Sequence, residues 1–288
     1  MPFGARPGHR RPRWFRQTAW TAALLLAATL GGLTAAQASV PARAAAAHAA
    51  LPPFQGQDSA VYIDGKTVVS KAAVRMDLPV TLLRVDANYD FKFVPPDNPT
   101  VLETYSHAWA VSPAGSSAQY GYFPPVQVST LAFGSVPVTA TVQLSQTFTG
   151  ADPDPMQIFG HGLLDTPYTV YPTEVTGNLR IRLSDVRVDQ EPLDVGPDCH
   201  SRTPMPIKLY GISPDYNLFY GGPLSGTVTI PPFAGCGSHG EDLDPLLTGL
   251  ISGPNNPLSM RQGDLGNWIE PDGPCDSVCS PPLDHASQ

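Results

Sequence analysis

No cysteine precedes Cys199 in this chain of 288 residues, which excludes a lipid anchor on an N-terminal cysteine. No acidic side chain precedes Asp58, although six of the 17 basic residues lie before position 50. Catalytic signatures are missing too. There is no G-x-S-x-G elbow, H-E-x-x-H helix, P-loop or dinucleotide fingerprint, so no motif assigns a nucleophile, a catalytic zinc or a nucleotide cofactor. Helical periodicity is scarce. With 33 Pro and 26 Gly, the composition breaks helices and suits short strands joined by tight turns.

What is present first is an export signal. Arg6, Arg10, Arg11, Arg13 and Arg16 precede an apolar run from Ala19 to Leu33, followed by small-residue exits at Ala36-Gln37-Ala38 and Ala47-His48-Ala49. The run is interrupted by Gly31 and Gly32 and falls short of the roughly 20 residues that span a bilayer, so cleavage is expected rather than a retained anchor. Pro12-Arg13 follows the Arg10-Arg11 pair where a twin-arginine signal needs a polar residue and then Phe, which points to the general secretory route. The tail, Ser280 to Gln288, lacks the hydrophobic stretch of a sorting or lipid-anchor signal. Cleavage after Ala49 leaves 25 acids against 11 bases, a net charge of −14; cleavage after Ala38 retains Arg43 and leaves −13. Such a balance favours solubility and disfavours nucleic acid or anionic lipid as partner.

Alternation with a period of two dominates the remainder. Val74, Met76, Leu78, Val80 and Leu82 make one apolar face, and Val85, Ala87, Tyr89, Phe91 and Phe93 make another. The slip at Leu82-Leu83 predicts a bulge or a turn. Val136 to Leu144 and Leu224 to Ile230 repeat the pattern, as does Val175 to Leu183, which slips at Ser184-Asp185 and resumes at Val186. Asp64-Gly65 is the strongest hairpin signal. Gly253 to Pro257 is expected to turn a strand pair, Leu247–Ser252 with Leu258–Gln262, and Asp244-Pro245 to open about one helical turn. Together these runs predict an all-β fold: an antiparallel β-sandwich, read as two immunoglobulin-like sandwich domains in tandem. The divisions are a signal peptide and Ala-rich spacer at 1–49, an N-terminal sandwich at 51–150, a C-terminal one with a disulfide at 170–265, and a disordered tail at 266–288. The aperiodic stretch from Gly150 to Thr173 serves as the boundary; a single larger sandwich with a long connection is the other reading.

Four cysteines in an exported chain read as disulfides. Three connectivities are open to Cys199, Cys236, Cys275 and Cys279. Cys199–Cys236, joining two strand ends and closing a loop of about 37 residues, is preferred with Cys275–Cys279. A reduced alternative is a zinc site of Cys199, His200, Cys236 and His239. Gly160-His161-Gly162 resembles an oxyanion-hole loop but lacks a serine elbow. The carboxylates of Glu103, Glu174 and Asp185 are scattered for glycoside chemistry. Asp152-Asp154 and Glu241-Asp242-Asp244 do not follow the spacing of a calcium loop. Tyr120 to Phe123 and Tyr216 to Tyr220 offer rings for a stacking surface, while Tyr105, His107 and Trp109 share one strand parity and read as core and edge packing.

Phe133–Leu144, Gly177–Cys199, Gly221–Gly237 and Glu241–Gly263, in that order, resemble a family of secreted actinobacterial β-rich proteins with no assigned activity. The likeness covers about half the chain. It implies export and a cysteine pair at Cys199 and Cys236, and nothing about substrate. Family members end soon after the Gln-Gly with a cysteine, whereas here the chain continues past Gly263 to Cys275 and Cys279. The expectation is therefore a secreted, non-enzymatic protein without a cofactor, binding an extracellular or cell-envelope macromolecule or contributing structurally. The alternatives are a hydrolase built from dispersed acids and His161, and the metal-binding module.

Overall fold

Alternating apolar and polar residues become strands over most of the described part of the chain. A computed structural model describes residues 51–93, 100–163 and 169–269, all within one structural unit, Ala45–Gln288. The signal-peptide expectation at 1–49 and Cys275 and Cys279 lie outside the described residues.

In chain order the elements are β1 (Gln57–Val69), β2 (Val74–Ala87), β3 (Tyr89–Phe93), β4 (Thr100–Ala110), β5 (Val126–Ala132), β6 (Val136–Gln146), β7 (Phe148–Thr149), β8 (Asp152–Pro153) and β9 (Met156–Leu163). There follow β10 (Thr169–Val170), β11 (Thr173–Val188), β12 (Glu191–Pro192), β13 (His200–Ser201), β14 (Met205–Gly211), β15 (Gly222–Ile230) and β16 (Phe233–Ala234). The helix α1 (Asp244–Ile251), β17 (Gly253–Gln262) and β18 (Gly266–Asn267) complete the set.

Eight of these strands form a closed ring. β1 pairs β2, β2 pairs β4, β4 pairs β9, and β9 pairs β11. β11 pairs β14, β14 pairs β15, β15 pairs β17, and β17 returns to β1, every ladder antiparallel. The all-β antiparallel expectation holds, but the tandem immunoglobulin-like sandwiches do not. Strands from 51–150 and from 170–265 share one barrel, because both edges of β9 are paired and the ring has no free edge there. β9 lies in the stretch read as a boundary. Its inward positions are Met156, Ile158, Gly160 and Gly162, so two of the four give no hydrophobic signal. A Cβ on Gly160 would approach Thr104 Oγ1 to 2.5 Å, and glycine is what lets β9 seat against β4.

β11 serves two sheets. Thr173–Leu179 stays in the barrel, whereas Leu179–Val188 pairs with β6, which pairs with β5. β13 meets the other edge at Arg182, with β16 beyond it. The slip expected at Ser184-Asp185 is a bulge, with Asp185 at φ 50°. The slip in β2 is also a bulge but falls earlier. Leu78 opposes Gly65 while Thr81 opposes Ile63, so Thr81 and Leu83 turn inward and Val80 is left 45% exposed.

Two turn expectations fail. Asp64-Gly65 sits inside β1, where Asp64 pairs with Arg261 and a Cβ on Gly65 would come within 2.5 Å of Ser259 O. That glycine admits a neighbouring strand; the true β1–β2 turn is at Ser70–Ala73. Gly253–Pro257 begins the single strand β17, and Leu247 belongs to α1, which extends to 8 residues. The tail is placed as far as residue 269: Ser59 and Ala60 pair with β18, and Trp268 N–H donates to Asp58 O.

Candidate functional site

Every second residue of the barrel strands points inward, and those residues enclose a cavity of about 620 Å³. Val61 and Ile63 of β1, Leu83 of β2, Ile158 of β9 and Leu224 of β15 belong to its wall. β5 and β6 continue it with the same parity, from Val126 and Val128 to Ala140 and Leu144. The chain has 10 Tyr and 4 Trp, yet among the described residues neither type lines the cavity. Eight-stranded barrels are filled by side chains or hold one small ligand. Here aliphatic residues and Ala108 and Ala140 occupy positions that rings would otherwise plug.

The polar side chains in this wall are Thr67, Lys71, Thr81, Thr130 and Gln262. Thr67 donates to Pro257 O, Thr81 to Pro79 O and Thr130 to Ala72 O. Gln262 accepts from Tyr216 Oη at 2.8 Å and donates to Leu218 O at 2.8 Å. Burial pushes the Tyr216 hydroxyl pKa upward. The hydroxyls and the amide are thus turned back into the protein, leaving a surface with hydrocarbon character. An apolar cavity of this size matches the usual range of small-molecule sites.

The lining reaches solvent at two turns and α1. Lys71 and Ala73 of the β1–β2 turn, Phe133 and Gly134 of the β5–β6 turn, and Gly249 of α1 are exposed lining residues. Phe133 is 77% exposed. Thr130 of β5 donates to Ala72 O of the β1–β2 turn, and Lys71 Nζ reaches Ser252 O beyond α1 at 3.4 Å.

The Cys199–Cys236 disulfide is formed, with both residues buried. It fixes the entry to α1: Gly237 N–H donates to Val195 O, Leu243 N–H to Cys236 O, and Cys236 N–H to Asp244 Oδ1. Leu247 of α1 then lines the cavity. With both sulfurs spent, the zinc alternative of Cys199, His200, Cys236 and His239 loses its thiolates. His200 Nδ1 instead contacts Asp198 O.

The dispersed acids stay dispersed. Glu103 and His161 are cross-strand neighbours, Oε1 to Nδ1 3.7 Å, on the outer face of the barrel. The Lys92 ammonium holds the Glu103 carboxyl below its ordinary pKa, and Tyr171 packs on His161. Glu174 pairs with Lys208 at 2.8 Å, and the Asp185 carboxylate accepts from Ser184 on the bulge. Asp154 accepts from Thr147 and Thr149, and Asp242 caps Asp244 N–H; these acids shape turns.

The aromatic clusters separate as well. Tyr120 is buried and accepts from Arg84, whose guanidinium also pairs with Asp58 and lies over Phe54 and Trp268. Trp109 is buried with its Nε1–H donating to Pro153 O, while Tyr105 is exposed beside Phe159. Phe123 lines the cavity, Tyr216 is buried, and Tyr220 is exposed.

Set against protein-family models, curated proteins and solved structures, the chain matches none of them. The functional reading rests on the cavity. Motif reasoning passed over it because no single residue in its wall carries chemistry. The available signal was collective: long, mainly aliphatic alternation over many strands.

Proposed function

We propose that this protein is an exported, non-catalytic carrier that holds an apolar ligand inside its barrel. One observation carries the reading: a cavity of about 620 Å³ walled mainly by apolar side chains, whose hydroxyl and amide groups already have protein partners. Each methylene moved from water into such a wall contributes about 0.8 kcal/mol, so a hydrocarbon chain gains affinity without any specific polar contact. Export accords with the basic leader, the apolar run from Ala19 to Leu33 and the resemblance to secreted β-rich proteins. The Cys199–Cys236 bridge suits an oxidising compartment. In that setting the barrel would keep a poorly soluble molecule dispersed outside the cell or in the envelope.

The test is a titration of the secreted protein, stripped of copurified lipid, with the neutral fluorophore N-phenyl-1-naphthylamine. Saturable uptake at one site with a blue-shifted emission is expected. Emission that rises only once the protein begins to unfold would refute the carrier.

A further inference from the structure

We infer that the ligand is a single-chain anionic amphiphile, with its hydrocarbon chain in the barrel and its carboxylate at Lys71. This assignment rests on the carrier reading and sharpens it to a ligand class. Among the described residues, Lys71 is the only charged side chain lining the cavity. It stands at the mouth, in the β1–β2 turn, where the lining becomes exposed. Its Nζ makes a long contact of 3.4 Å with Ser252 O, which uses one of the three donors of an ammonium. A head group lying over the mouth can take the others.

Three further features fit this ligand. The nearest basic residue along the strand, Arg75, is already paired with Asp77 at 2.9 Å, so Lys71 is the cation presented to the cavity. Among the described residues the lining carries no carboxylate, although 25 acids are spread over the chain, so no lining acid competes with a ligand for Lys71. The volume also suits one chain. At ~30 Å³ per methylene, near the volume share of a water molecule, the 620 Å³ cavity accommodates ~20 carbons. A neutral wall with one cation at its exit orients such a molecule head outward, because burying a carboxylate among aliphatic side chains is costly.

The experiment displaces bound N-phenyl-1-naphthylamine from the full chain with hexadecanoate and with hexadecanol. Hexadecanoate is expected to bind about tenfold more tightly, the gain of a charged hydrogen bond. In Lys71→Ala and Lys71→Glu that preference should collapse to about one or invert. Lys71→Arg should retain it, and raised salt should shrink it. Shortening the acid should weaken binding by about fourfold per methylene removed. Equal displacement by acid and alcohol in the unaltered protein, or a preference that survives Lys71→Glu, overturns the anionic assignment and leaves the carrier standing. Failure of both compounds and of the fluorophore to bind overturns both.

Discussion

Gln262 is the amide that a mainly apolar wall must accommodate, and Tyr216 is how it does so. The tyrosine hydroxyl donates to Gln262 Oε1 and the amide donates to Leu218 O, so the polarity of the side chain is directed into the 212–221 loop. Tyr216→Phe removes one donor and leaves a buried acceptor unsatisfied, at a cost of about 1–3 kcal/mol near neutral pH. Burial raises the folded-state pKa of this tyrosine above its ordinary 10.0. The unfolded chain therefore loses the proton first, and the contribution of Tyr216 to stability is full below pH 10 and declines as pH rises beyond it. Urea unfolding of both proteins from pH 8 to 11 should show the gap between them narrowing above pH 10. A gap that stays constant across that range would contradict this account. Residues at this scale were hard to read. Asp64-Gly65 has the chemistry of a hairpin, and the crowding by Ser259 that demands a glycine there involves residues nearly two hundred positions away.

Among the elements, β9 and the loop closed by the disulfide decide most. β9 turns two partial sheets into a ring, and its glycines hid it in a stretch that looked aperiodic. The long strands were legible: the alternation in β6 and β11 and the slip at Asp185 appear where they were expected. The slip in β2 was displaced because Val80 and Leu82 are apolar residues on the outer face, and an apolar residue does not by itself report which way it points. The Cys199–Cys236 bridge anchors the approach to α1, which carries Leu247 into the cavity wall. Replacing both cysteines by alanine should lower stability by roughly 4 kcal/mol for a loop of 37 residues. Equilibrium denaturation reads this directly. A loss well under 1 kcal/mol would mean that the hydrogen bonds from Cys236 and Gly237 hold the loop unaided.

For the molecule as a whole, the difficulty lay in telling a barrel interior from the inner face of a sandwich, since both impose a period of two. Which strands meet is settled by pairings between distant segments, such as β1 with β17 and β9 with β11, and local pattern does not encode them. The hollow has a different origin: it follows from side-chain size, with mostly aliphatic residues inside and no tyrosine or tryptophan among the described lining residues. Adjacent positions on β6 test that claim, because Ala140 lines the cavity while Thr139 is exposed on the opposite face. Ala140→Trp and Thr139→Trp should both remain folded by circular dichroism. N-phenyl-1-naphthylamine uptake is then the measurement that decides. The account requires uptake to be abolished by tryptophan at 140 and retained with tryptophan at 139; equal uptake by the two folded proteins would contradict it.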